Sequence, residues 1–232
     1  MALRGLFTQL FTAATLACAA SAARWVRDDG GWYGRALVAH DTLGDADGWR
    51  GDLYAEYRLT DARTVTAKSE SVTYPDYEDF HHDAFRLTLR RKLFTNKNWT
   101  AGAEAGPIYG STVTGLSVCE GFGFETRGGL GYSGVRKTGR KFYAFADAAY
   151  ISQEDGCERV RAEFGYSSDI TERVFLTQQL WVEEGNQSAS SIKIENQLGM
   201  HFDKVDVSLG YREELGGQFD EHAVLIAVVA RR

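Results

Sequence analysis

The chain has 232 residues, among them 25 glycines, only 2 prolines, and 11 tyrosines, 13 phenylalanines and 5 tryptophans. That length supports one sizeable domain, and aromatics spread so evenly exclude a long disordered tail. A formal net charge of -6 excludes the basic face that nucleic acid would need. After the first two dozen residues no run of about 18 consecutive apolar residues occurs, which excludes a spanning helix but not a spanning barrel.

The first element is a leader. Arg4 supplies the positive charge, Leu6 to Ala19 the apolar run, and Ala20-Ser21-Ala22 or Ser21-Ala22-Ala23 the small residues of a cleavage site. The expected organisation is therefore a secretory signal over 1–23 and a single domain over 24–232. Cys18 follows Leu16-Ala17, but Thr15 stands where a lipidation site wants a large aliphatic residue.

From Trp32 onward the chain reads as about twelve strands. They are Trp32 to Leu43, Gly48 to Thr60, Arg63 to Tyr74, Asp83 to Phe94, Trp99 to Thr112 and Gly121 to Lys137. Three more lie between Phe142 and Glu183, followed by Ser190 to Phe202, Val205 to Gly217 and Phe219 to Arg232. The pattern is cleanest in the central three. Phe142, Ala144, Ala146, Ala148 and Tyr150 alternate with Tyr143, Phe145, Asp147 and Ala149; Val160, Ala162, Phe164 and Tyr166 alternate with Arg159, Arg161, Glu163 and Gly165. Val174, Leu176, Leu180 and Val182 alternate with Phe175, Thr177, Gln179, Trp181 and Glu183. A period of two means strands. One face is apolar and the other carries charge where a soluble sandwich would keep a dry core, the pattern of lipid outside and a polar lumen inside. The predicted fold is all-β, a transmembrane antiparallel up-and-down β-barrel. A soluble ligand-binding barrel would invert these faces.

The connections divide into two sets. One is short, such as Thr60 to Arg63, Thr95 to Asn98 and Asp203-Lys204. The other is expected to be longer and acidic, from Asp41 to Trp49, Tyr74 to Asp83, Thr114 to Gly121, Ser152 to Glu158, Glu183 to Ser190 and Glu213 to Asp220. Barrels with an even strand number place short turns and both termini in the periplasm and longer loops outside. The outer set would carry Asp45, Asp47, Asp76, Glu78, Asp79, Glu154, Asp155, Glu184 and Glu213, and the inner side Arg63, Lys97, Lys137, Arg140, Lys141, Arg173, Arg231 and Arg232. The acidic groups are read first as solvated loop charges, with divalent cations shared with lipopolysaccharide phosphates as the alternative. Cys119 and Cys157, both on the outer set, are a disulfide candidate, with two separate thiols as the alternative.

Alternate positions within the strands are repeatedly charged. Glu56, Arg58, Arg86, Arg90, Glu104, Glu125, Arg127, Arg161 and Glu163 are the expected lumen and selectivity residues, with an excess of Arg that would favour anionic solutes. Such charges must pair, leaving either an occluded barrel or a thin hydrated pathway.

The Tyr57-Arg58-Leu59-Thr60-Asp61-Ala62-Arg63 strand and turn, the Gly128-Gly129-Leu130-Gly131-Tyr132 strand and Val205 to Tyr211, together with the leader, resemble the small outer-membrane barrels of Gram-negative bacteria, porin-like transporter barrels included. The resemblance implies residence among outer-membrane lipids and lipopolysaccharide and folding by the barrel-assembly machinery. Barrels of this kind commonly finish on an aromatic residue, whereas this chain finishes Val228-Val229-Ala230-Arg231-Arg232.

The function expected is structural or channel-like, passing or exporting a small hydrophilic solute or envelope component, with no enzyme activity, cofactor or metal. The alternative is an outer-membrane hydrolase, for which His40 with Asp41, or His222 with Glu221 and Asp220, would have to pair with a serine. His81-His82-Asp83 after Glu78-Asp79 offers at most a weak metal site. The glycines of Gly121 to Gly134 lack the sequel of a phosphate loop.

Overall fold

The computed structural model describes residues 31–75, 81–111, 119–154, 156–187, 190–217 and 220–231. Twelve strands follow in chain order: β1 (Trp32–Leu43), β2 (Ala46–Thr60), β3 (Arg63–Thr73), β4 (His81–Asn96), β5 (Trp99–Gly110), β6 (Phe122–Val135), β7 (Lys141–Gln153), β8 (Glu158–Asp169), β9 (Val174–Gly185), β10 (Ser191–His201), β11 (Val205–Gly217) and β12 (Glu221–Arg231). Each pairs antiparallel with its sequence neighbours, and β12 pairs with β1 from Arg231 opposite Tyr33 to Glu221 opposite Leu43. The sheet is thus a closed up-and-down barrel, which leaves no strand edge unpaired. The leader, Asp76, Glu78, Asp79 and Asp155 lie outside the described residues.

The end where β1 starts and β12 finishes is called the terminal end, and the opposite one the far end. The first far-end connection differs from expectation. β1 and β2 are joined by Gly44 and Asp45 alone, with Gly44 at φ 59°, in place of a long acidic loop from Asp41 to Trp49. The reason is that Asp41 and Thr42 pair with Gly48 and Asp47, so residues that look like loop by composition extend the ladder. Gly is suited to such a turn because it lacks the Cβ that disfavours positive φ.

Side-chain alternation sets the two surfaces. Leu53, Leu89, Leu130, Val160, Phe164, Leu198, Leu209 and Ile226 are exposed on the outside, forming an apolar band of the kind lipid solvates. Aromatics mark its two margins. Near the terminal end Trp32 stands opposite Tyr57, and Trp99, Tyr132 and Phe142 run ring to ring with centroids 4.8 and 5.7 Å apart. Toward the far end Phe85, Tyr109 and Phe122 sit opposite one another on β4, β5 and β6, while His40 meets Trp49 edge-on at 5.1 Å. Two such girdles are what the interfaces of a membrane select.

Inside, glycine makes room for rings. A Cβ on Gly165 would lie 2.0 Å from the Phe145 ring, and one on Gly199 would lie 2.2 Å from Phe175. These inward aromatics therefore lie flat against the neighbouring strand and keep clear of the axis.

Candidate functional site: the barrel lumen

Charged side chains facing inward are paired around the wall, between adjacent strands and in places over an intervening one. Arg90 on β4 donates to Glu104 on β5 (Nε to Oε2, 2.9 Å) and to Glu56 on β2 (Nη1 to Oε1, 2.8 Å). The strand it crosses, β3, contributes Thr66, whose hydroxyl donates to Glu104 at 2.9 Å, and Thr88 donates to the same carboxylate. Arg90 Nη2 also reaches the Tyr54 hydroxyl at 2.9 Å. All these groups are buried. Buried charges persist only when the remaining donors and lone pairs are met as well, and here threonine and tyrosine hydroxyls meet them.

The same construction recurs at three more places. Arg127 on β6 joins Glu125 (3.0 Å), Asp147 on β7 (2.8 Å) and Glu163 on β8 (3.1 Å), while Arg86 reaches past β5 to Glu125 at 2.7 Å. Glu183 on β9 accepts from both Arg159 and Arg161 at 2.9 and 2.5 Å. Toward the far end Arg50 on β2 holds Asp41 (2.5 Å), Glu70 (2.7 Å) and Glu221 (3.3 Å), and Lys193 on β10 reaches Glu221 at 2.5 Å. Next to it, Arg212 binds Glu195 at 2.7 Å and lies over the Trp181 ring at 5.4 Å.

A cavity of about 550 Å³ lies inside, open between these wall-bound groups. Ten lysine or arginine and nine aspartate or glutamate side chains line it, so opposite charges nearly balance. Of the residues singled out from the sequence, Glu56, Arg86, Arg127, Arg161 and Glu163 line the cavity, whereas Arg90, Glu104 and Glu125 belong to the networks in its wall. Arg58 stands apart: it donates to Thr60 O at 3.1 Å and Asp61 at 2.5 Å, bracing its own turn at the terminal end. The expected excess of Arg is absent at this section, because Arg86, Arg90 and Arg127 face Glu56, Glu104, Glu125, Asp147 and Glu163.

Two features escaped the sequence reading. The Arg50 cluster joins β1, β2, β3 and β12, residues up to 171 apart in the chain, and only the closure of the barrel brings them together. The seam between β1 and β12 is apolar on its inner side as well, with Leu37, Ala39, Ala223, Leu225 and Ala227 almost fully buried. The unbroken run Ala223 to Val229 is its signal, a strand with no polar phase. The lumen is thus lopsided, charged over most of its circumference and aliphatic at the closing seam.

The two ends differ. At the far end Cys119 and Cys157 form a disulfide with Cα atoms 5.6 Å apart. Gln153, beside it, donates to the carbonyls of Gly110, Cys119 and Gly121 at 3.1, 3.4 and 3.4 Å. At the terminal end His201 lies between Asp206 (2.8 Å) and Asp169 (3.3 Å) under the Phe175 ring.

The alternation separates each histidine considered for hydrolysis from its adjacent carboxylate, while Asp220, two residues from His222, keeps the phase of that histidine. Asp41 points inward to Arg50 while His40 packs outward on Trp49, and Glu221 points inward while its neighbour His222 does not share that burial. His82 Nδ1 does lie 2.8 Å from Ser111 Oγ, but both are buried and neither lines the cavity. His81 is turned to Thr73 and Asp83 at the exposed surface, so adjacent His81 and His82 face opposite ways. Glu78 and Asp79 lie outside the described residues, and among the described residues no group of three metal-ligating side chains converges.

No family model and no curated protein matches the sequence. Solved structures do match the fold. The COG4313 outer membrane channel from Pseudomonas putida F1 superposes with a TM-score of 0.60 at 14% identity, over 90% of this chain and 98% of that one. The NanC porin gives 0.61 at 8% identity, over 84% and 98%, and the KdgM porin 0.57 at 7% identity, over the same shares. What this chain shares with these outer-membrane channels and porins is the fold, here a closed twelve-stranded barrel.

Proposed function

We propose that the protein is an outer-membrane channel, exported by its leader, with the terminal end in the periplasm and a narrow hydrated lumen that passes a small hydrophilic solute. One observation carries the reading. The ion pairs run along the wall between adjacent strands or from a strand to the second-next one, so the charges are neutralised without bridging the lumen, and a cavity of about 550 Å³ remains. A barrel built for rigidity alone would gain by closing that space with apolar side chains, since buried ion pairs are seldom more stabilising than a packed hydrocarbon core. The structural likeness to proteins described as channels and porins supports the same conclusion.

Near-balance of charge along the cavity favours solutes that are neutral or carry both signs over simple anions, because a passing ion meets both attraction and repulsion at each level. The reversal potential across a bilayer under a salt gradient is expected to lie near zero. Glu70→Gln with Glu183→Gln removes two lining carboxylates and is expected to move it toward anion preference. Strong selectivity of the unaltered protein, or no shift in the double variant, contradicts the lumen as the conducting path.

A further inference from the structure

The outward face carries a polar pair where lipid tails would otherwise meet it. Gln178 on β9 donates from Nε2 to Asn196 Oδ1 on β10 at 2.8 Å. The depth of this pair follows from the ladder. Starting at Trp99 in the terminal girdle, opposite partners run Tyr132, Ala144, Tyr166, Gln178, Asn196, Tyr211, Val224, His40 and finally Trp49 in the far girdle. Because strands of a barrel are tilted, a row across them climbs from one membrane interface to the other. Gln178 and Asn196 are the fourth and fifth of its nine steps, midway through the apolar band.

At that depth neither water nor a lipid tail supplies a hydrogen-bond partner. A glutamine and an asparagine together bring four N–H donors and two carbonyls, and the bond between them uses one of each. Leaving the rest in hydrocarbon is costly. Their outward neighbours along the strands, Leu176, Leu180, Ile194 and Leu198, are aliphatic and the flanking row members are Tyr166 and Tyr211, so the amides form a polar spot within a largely apolar surface.

We propose that this face of β9 and β10 is the interface with a second copy of the chain, related by a two-fold axis along the membrane normal. The rotation preserves depth, and Gln178 and Asn196 lie only one ladder step apart, so with the axis passing between them each amide meets one of the other kind from the second copy. Donor faces acceptor on both sides of the axis, the self-complementarity an isologous contact requires. Only a copy inserted in the same orientation is sure to present these groups at this level, and polar side chains facing one another inside a membrane are an established source of association.

The inference rests on the membrane-barrel reading but not on permeation. Its test uses the full mature protein, with the native disulfide intact, reconstituted in vesicles of defined phosphatidylcholine and phosphatidylglycerol content. Leu198→Cys, on the lipid face beside Asn196, is expected to cross-link between copies on oxidation, whereas Leu53→Cys on β2 is not. Gln178→Leu with Asn196→Leu is expected to weaken the dimer roughly tenfold or more, each of the two symmetry-related contacts contributing modestly, with barrel content by circular dichroism unchanged. Asn196→Ala alone serves should the double variant fail to fold. A monomer at every protein-to-lipid ratio, or a dimer that none of these changes weakens, overturns the interface, and failure to insert at all overturns the membrane reading beneath it.

Discussion

Arg90 shows what one lumen side chain does for stability. It is the shared partner of Glu56 and Glu104, both almost fully buried. Arg90→Leu strands two carboxylates away from bulk water and is expected to cost about 3–5 kcal/mol, the range for breaking a buried pair, as read by urea unfolding of the bilayer-folded protein. Truncating Arg90 together with Glu56→Gln and Glu104→Gln is expected to recover most of that loss. A single-variant cost below about 1 kcal/mol would mean that water reaches these carboxylates freely. Arg90 and Glu104 were legible in the sequence because alternation assigns each an inward face. Their partners were less so, because Arg90 also reaches Glu56 over an intervening strand, and pairing at that distance depends on register and barrel curvature. Arg58 shows the limit of the same rule, for it shares the inward phase of Glu56 yet lies so near the turn that Asp61 captures it.

At the scale of the strand, period two was enough to orient the central β7, β8 and β9 and the charged β2, β4 and β6, but not β12, whose two faces are both apolar. The bounds of β1 and β11 coincide with those read from the sequence, since aromatic and turn residues mark their ends. Loops were harder: composition marks Asp41 to Trp49 as loop, while the ladder continues through it. Near the terminal end of β4 the register shifts between Lys92 and Phe94, and both Leu93 and Phe94 are exposed outward. A bulge of this kind re-aims a side chain, here adding Phe94 to the girdle.

Two outcomes follow at this scale. Ala146→Arg puts a cation on the outward face and is expected to cost about 2–4 kcal/mol in bilayer folding, whereas Gln179→Arg, on a residue lining the cavity, is expected to cost far less. The reverse order would invert the faces. Cys119→Ser with Cys157→Ser opens a link between residues 38 apart and is expected to lower stability by about 2–4 kcal/mol through the freed chain. Mass spectrometry of the alkylated, non-reduced protein settles the bridge, two modified thiols contradicting it.

At the scale of the whole molecule, closure of the sheet sorts the sequence into its two environments. A closed barrel satisfies the backbone within the sheet, leaving one set of side chains to solvate the membrane and the other to fill or line the interior. What the sequence left open was whether the inner set meets across the axis. The structure places the pairs along the wall, through β1, β3, β5 and β7 as spacers between longer-range partners, and the lumen stays hollow as a result. On the proposed function, a path through the barrel accounts for that arrangement; His201 with Asp169 and Asp206 lines the cavity too, but the lining serines Ser167 and Ser208 hydrogen-bond Thr177 and Gln197 instead. Conductance of the purified, refolded protein in planar bilayers tests this most directly. Discrete steps of small conductance, altered by Glu70→Gln with Glu183→Gln, are the expected result, and an intact bilayer that stays silent with the inserted protein would contradict an open lumen.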